Sequence, residues 1–207
     1  MEYVISDLHG NHTKLRERTR TQFKTNEEMS EHIVSCWNKT VSKNDIVYLL
    51  GDVGDKKFIE KYIPQLRGTI ALILGNHDGY SKTFYRKHFD YVYNKPFWLS
   101  RRILLSHYPQ PVEDGKINIH GHTHDISLSL GNYFNVSVDV VDYTPVKMKR
   151  FYDELGKINK PNCKFMYEWY AKYQIPVLHR DKVVLKKNGL VNVNKSRRKL
   201  YGTTYDV

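Results

Sequence analysis

Asp45-Ile46-Val47-Tyr48-Leu49-Leu50-Gly51-Asp52-Val53-Gly54-Asp55 joins an unbroken apolar run to a loop of glycines and carboxylates. A short continuous run rich in β-branched and aromatic residues predicts a strand buried on both faces, as in a parallel sheet. The same arrangement occurs on either side of it. Upstream, Glu2-Tyr3-Val4-Ile5-Ser6 leads into Asp7-Leu8-His9-Gly10-Asn11-His12. Downstream, Thr69-Ile70-Ala71-Leu72-Ile73-Leu74 leads into Gly75-Asn76-His77-Asp78. Between these runs, residues 27–39 place Met29, Ile33, Cys36 and Trp37 at helical spacing, a stripe that reads as core. Residues 56–66 predict a second helix, capped by Asp55 and interrupted at Pro64. Strands alternating with helices, each strand stopping at a polar loop, are how a parallel sheet delivers functional groups to one edge.

Further along, Arg102-Ile103-Leu104-Leu105-Ser106 predicts a strand ending at His107-Tyr108-Pro109. Lys116-Ile117-Asn118-Ile119 predicts another, running into His120-Gly121-His122-Thr123-His124. On an extended backbone His122 and His124 share a face, and Gly121 lets the main chain come close to whatever the imidazoles hold. Residues 133–141 alternate well enough for one more strand, and 146–155 read as a short helix.

The chain has 207 residues, 40% hydrophobic and 13% aromatic, enough for one domain with a substantial core. Its two cysteines, Cys36 and Cys163, form no CxxC pair and no disulfide framework, which suits a reducing compartment. With a strand expected from the first residues and no apolar run near the ~20 residues of a membrane span, the expectation is a soluble cytoplasmic protein. The net charge of +11 is uneven. Residues 157–207 hold 12 Lys and Arg against 3 Asp and Glu, a net of +9, leaving +2 on residues 1–156. This places a boundary near Gly156.

The strand-end residues are Asp7, His9, Asp52, Asn76, His107, His122 and His124, with His77 and Asp78 beside them. Singly, each has an ordinary explanation as a cap, a turn or a core histidine. Together they offer three oxygen donors and four imidazoles, enough for two divalent ions with positions left for water and substrate.

The pattern resembles the calcineurin-like metallophosphoesterase family. The matching motifs are Asp7-Leu8-His9, Gly51-Asp52, Gly75-Asn76-His77-Asp78, His107 and Gly121-His122-Thr123-His124, in order. A small bacterial and phage branch is similar also in His12, Trp37-Asn38, Val138-Asp139-Val140 and Tyr143-Thr144-Pro145-Val146. The resemblance spans roughly residues 1–155. It implies an α/β sandwich of two mixed β-sheets flanked by helices, with residues 1–156 as the metallophosphoesterase domain. It implies one metal on Asp7, His9, Asp52 and His124, and another on Asp52, Asn76, His107 and His122, with Asp52 bridging. It further implies in-line attack on phosphorus by a metal-bridging hydroxide. His77 would assist the leaving oxygen, and Asp78 would orient its ring.

Mn²⁺, Fe, Zn²⁺ and Ni²⁺ all suit such mixed ligands, and the family is often assayed with manganese. The phosphoprotein phosphatase branch continues its second motif with Asp-Arg-Gly and ends its third with Glu. Here Val53-Gly54-Asp55 and Asp78 stand instead, which points to phosphodiesters or nucleotides rather than phosphoproteins. Asn11 and His12 are the candidates for substrate contact.

Within residues 157–207, Phe165, Met166, Trp169, Tyr170 and Tyr173 form a helical stripe. Asn188-Gly189 between alternating runs predicts a β-hairpin. Lys195-Ser196-Arg197-Arg198-Lys199 is a cationic block. A basic extension beside a phosphate-hydrolysing site suggests nucleic acid as a partner. The alternatives are a nuclease fed by this extension, and a non-catalytic nucleic-acid-binding or scaffold protein on the same fold.

Overall fold

In the computed structural model, which describes residues 1–126, 131–155, 183–186 and 189–192, the three apolar runs are neighbouring parallel strands. They are β1 (Glu2–Ile5), β2 (Ile46–Leu49) and β3 (Thr69–Ile73). Ile5 pairs with Leu49 and Leu49 with Leu72, so the three loops leave the sheet side by side. β4 (Tyr91–Tyr93) adds a fourth parallel strand beyond β3. A second sheet runs β5 (Phe97–Trp98), β6 (Ile103–Ser106), β7 (Ile117–His120) and β8 (Tyr133–Asn135). Its last three strands are parallel and β5 is antiparallel.

Period-two alternation sorts the first sheet's side chains into two cores. Tyr3, Ile5, Val47, Leu49, Ile70 and Leu72 face a cluster that includes Ile33, Trp37, Phe58 and Ile59. These come from α2 (Asn26–Thr40) and α3 (Lys56–Tyr62), which follow α1 (Thr13–Thr19) in the chain. Val4, Tyr48, Leu50, Ala71 and Ile73 instead meet Ile103, Leu105, Ile117 and Ile119 of the second sheet. The fold is therefore two mixed sheets packed face to face, with helices on the outer side of the first.

Helix boundaries follow local chemistry. The Thr25 side chain accepts from Glu28 N–H at the start of α2, and Asp55 accepts from Phe58 N–H at 2.8 Å at the start of α3. Buried Trp37 donates its indole N–H to Arg67 O at 2.8 Å, which satisfies its polar edge. After Tyr62 the chain tightens to a 3₁₀ turn over Ile63–Gln65, where Pro64 removes a donor.

Two expected elements are redrawn. Residues 133–141 are not one strand: β8 stops at Asn135 and α5 (Val138–Val141) follows. The cause is Asn135, whose Oδ1 accepts from Ser137 N–H at 2.9 Å and turns the chain. The helix expected over 146–155 starts later, as α6 (Lys149–Glu154) following α4 (Lys82–Tyr85) and α5 in order. Val146–Lys147 are taken as β9, an antiparallel strand that covers the free edge of β1. Beyond residue 156, β10 (Val183–Lys186) pairs antiparallel with β11 (Gly189–Asn192), Lys186 opposite Gly189. The aromatic stripe over 162–173 and the cationic block over 195–199 lie outside the described residues.

Candidate metal centre

The carboxyl ends of the two sheets meet, and the strand-end residues gather there in two groups. Asp7, His9 and His124 form one, and Asp52, His107 and His122 the other; within each, the ligand atoms lie within 4.8 Å of one another. Asp52 faces both. Its Oδ2 lies 3.3 Å from His9 Nε2 and 3.4 Å from His107 Nε2. Asn76 joins the second group, with Oδ1 at 2.8 Å from His107 Nε2 and 3.0 Å from His122 Nδ1.

The donor chemistry fits cations. His107 Nδ1 is 2.8 Å from Leu50 O, which can only accept, so in the neutral ring Nε2 carries a lone pair. That lone pair faces a carboxylate oxygen, an amide oxygen and His122 Nδ1 at 3.2 Å. His124 repeats the arrangement, with Nδ1 donating to Asp139 Oδ2 at 2.8 Å. His9 Nε2 is buried and has no hydrogen-bond partner. Ring nitrogens and oxygens converging in this way are stabilised by a shared cation.

Protonation at Asp52 and His122 agrees. Burial alone would raise the Asp52 carboxyl, but the neighbouring His9 and His107 rings and the His77 main-chain N–H hold it well below the usual carboxylate range. Burial, reinforced by His107, pushes His122 down to about 4. Ionised carboxylates and neutral imidazoles are the ligating forms.

The backbone is bent to reach this geometry. Asp7 (φ 59), His9 (φ 45), Asn11 (φ 63), Asp52 (φ 53), His122 (φ 66) and His124 (φ 48) all adopt left-handed conformations. Such residues cost of order 1–3 kcal/mol each and cluster where function requires them. This corrects the extended reading of residues 122–124. The chain turns at each histidine, so His122 and His124 serve different groups instead of sharing a face. Gly121 permits the turn by close approach: a Cβ there would sit 2.0 Å from Ser6 Oγ and 2.3 Å from Asp7 Oδ2.

Two residues beside the ligands are tied into the loops that carry them. Asp78 is buried, and its carboxylate accepts from Asp52 N–H (2.8 Å), Gly75 N–H (2.7 Å) and Val53 N–H (3.0 Å). It ties two ligand-bearing loops together, and its described hydrogen bonds go to these main-chain groups instead of to the His77 ring. Asn11 donates its amide to Asp55 Oδ2 at 2.6 Å, an internal tie of the same kind. His77 is exposed, its ring centroid 5.3 Å from that of His9, and its main-chain N–H donates to Asp52 Oδ1 at 2.9 Å. The His12 centroid lies 5.5 Å from His9 and 6.5 Å from His77. His12 Nδ1 accepts from Leu15 N–H at 3.1 Å, so the neutral ring bears its proton on Nε2.

Sequence reasoning missed the residues behind the ligands. Ser137 Oγ donates to Asp7 Oδ2 at 2.7 Å, and buried Arg20 pairs with Asp139 at 2.8 Å. Neither carries a local signal; Arg20 reads as one of several basic residues around α1.

Comparison with known proteins points to one family. The family model described as calcineurin-like phosphoesterase matches residues 3–192. "Uncharacterized protein MJ1445" of Methanocaldococcus jannaschii is 32% identical over 161 residues, covering 70% of this chain and 86% of that protein. "Gene 66 protein" of Mycobacterium phage L5 is 31% identical over 159 residues, covering 59% of this chain and 76% of that protein. Among solved structures, the protein of unknown function AQ665 from Aquifex aeolicus superposes with a TM-score of 0.59 at 27% identity. It covers 75% of this chain and 98% of its own.

Proposed function

The chain belongs to the calcineurin-like phosphoesterase family, and we propose that it is a dinuclear metal-dependent enzyme hydrolysing phosphodiester or nucleotide phosphate bonds. The observation that carries this reading is the Asp52 carboxylate, with one oxygen 3.3 Å from His9 Nε2 and 3.4 Å from His107 Nε2. A single anion between two nests of lone pairs is what a bridged pair of cations needs. Asp7, His9 and His124 would hold one ion, Asn76, His107 and His122 the other, with Mn²⁺ the first choice. When bound, such ions supply charge neutralisation at the phosphoryl oxygens and a water nucleophilic at neutral pH.

The remaining work falls to the protein's own side chains. His77, exposed at the mouth of the site, delivers a proton to the departing oxygen. His12 offers its Nε2–H to a phosphoryl oxygen beside it. The loops bearing Asp52 and Asn76 are locked by Asp78, so these two donors need little reorganisation during the reaction.

The test is Mn²⁺-dependent release from bis-p-nitrophenyl phosphate, p-nitrophenyl phosphate and a labelled oligonucleotide. The diester is expected to be the better of the two small substrates. His77→Asn is expected to lower kcat on it by roughly 10²–10⁴ with little change in KM. His12→Ala is expected to raise KM instead. A chelator-sensitive activity absent from all three substrates would overturn the assignment, and an unaltered His77→Asn rate would remove the acid.

A second reading, a nuclease, is favoured by the charge asymmetry: residues 157–207 carry 12 basic against 3 acidic residues. Cleavage of the oligonucleotide that weakens steeply with salt would support it. A non-catalytic scaffold on this fold is disfavoured because every ligand position is filled by a donor.

A further inference from the structure

Arg20 closes α1 at its C-terminal cap and is 1% exposed. A buried guanidinium needs a reason, because desolvating a cation is costly unless every donor is matched. Here four of the five N–H donors are matched within the protein. Nε donates to Asp139 Oδ1 at 2.8 Å and Nη2 to Asp139 Oδ2 at 2.9 Å. On the other side Nη1 donates to Leu8 O at 2.7 Å and Nη2 to Asp7 O at 2.8 Å. Asp139 Oδ2 in turn accepts from His124 Nδ1 at 2.8 Å. The Tyr143 ring closes over the guanidinium, 5.7 Å from Cζ.

These bonds have a direction. They grip the main chain at Asp7 and Leu8, immediately before His9, and through Asp139 they fix the tautomer and tilt of His124. Asp7, His9 and His124 are the three members of one group of ligands. The other group is held by different atoms: His107 by Leu50 O, and Asp52 and Asn76 through the loop bonds of Asp78. The groups also touch: His122 N–H donates to the Asp7 carboxylate, at 2.9 Å to Oδ2, and His9 N–H donates to Asp52 O at 2.9 Å, but none of these ties involves Arg20 or Asp139.

We infer that Arg20, acting through Asp139, is a positioning residue for the first of the two metal sites alone, and sets that site's affinity separately from its neighbour's. The inference rests on the dinuclear reading above. It opposes the simple electrostatic expectation. A positive charge near a cation site should weaken binding, so deleting it should tighten the ion. Positioning has the opposite sign, because without the fork the Asp7–Leu8 turn and the His124 ring lose their shared anchor.

The experiment is calorimetric titration of the chelator-stripped full chain with Mn²⁺, comparing the native sequence with Arg20→Lys and Asp139→Asn. Manganese spin resonance serves as a second readout. Arg20→Lys keeps the charge and loses the fork. The native chain is expected to take up two ions. Arg20→Lys is expected to weaken one binding phase by roughly 10–100-fold, the range for partners that orient a metal ligand. The other phase stays unchanged, so at limiting Mn²⁺ the spectrum is that of isolated ions. Asp139→Asn, close in shape to the native residue, carries the same test if Arg20→Lys folds poorly.

Equal weakening of both phases, as plain loss of packing would give, overturns the inference. So does unchanged or tighter binding in both variants. A native chain that binds no ion fails the dinuclear reading itself, a result distinguishable from failure of the positioning role.

Discussion

Asp52→Asn is expected to reduce Mn²⁺-dependent hydrolysis by about 10³-fold or more, the equivalent of the several kcal/mol of charge stabilisation a bound metal supplies. The substitution is conservative in every respect except charge. Asparagine has the same volume and tolerates the left-handed φ of 53 that this position imposes. Its amide oxygen can still accept from the His77 N–H, now 2.9 Å from Asp52 Oδ1. What it removes is the anion between His9 and His107. Elemental analysis should show metal content falling below two ions per chain while circular dichroism stays native. Full activity in the variant would show that Asp52 does not bridge.

Gly121→Ala is expected to damage both the fold and the site. The new Cβ would lie 2.0 Å from Ser6 Oγ, 2.3 Å from Asp7 Oδ2 and 2.6 Å from Ser6 Cβ. Ser6 and Asp7 are both fully buried and cannot swing away. Ser6 Oγ is also bound to Leu50 O at 2.8 Å. The backbone must therefore shift, at a cost of roughly 1–3 kcal/mol for overpacking. For a chain of this size each kcal/mol lowers Tm by roughly 2–4 °C. Since Asp7 also accepts the His122 N–H, the same shift separates two ligand loops and metal uptake should fail. Gly131→Ala is the control: among the described residues a Cβ there meets nothing within 4 Å, and the change should stay within about 0.5 kcal/mol. Equal melting temperatures for the two variants would show that Gly121 is not held at close quarters.

What could be read in the sequence was what local pattern controls. Strands β1, β2, β3, β6 and β7 are short, mostly apolar runs, the pattern of burial on both faces. Each therefore delivers its next residues to one edge, and Asp7, Asp52, Asn76, His107 and His122 could be named before any coordinates. The stripe of α2 and the Asp55 cap were equally local. Features made by long-range contact were not readable. Arg20 and Asp139 are 119 positions apart, and nothing near either marks the pairing. Asp78 could be picked out as a motif member. Its three main-chain donors, however, come from loops that only the folded sheet brings together. The turn at Asn135 and the left-handed histidines failed for a related reason. Alternation of apolar and polar residues describes an extended chain, and side-chain bonds to the backbone can bend it without changing the pattern.

If seven side chains from both sheets close around a pair of cations, anomalous diffraction from crystals of the full chain grown with Mn²⁺ will locate the ions. Two strong peaks are expected, one among Asp7, His9 and His124, the other among Asn76, His107 and His122, with the Asp52 carboxylate in contact with both. A single peak, or ions bound away from Asp52, would rule out the dinuclear arrangement.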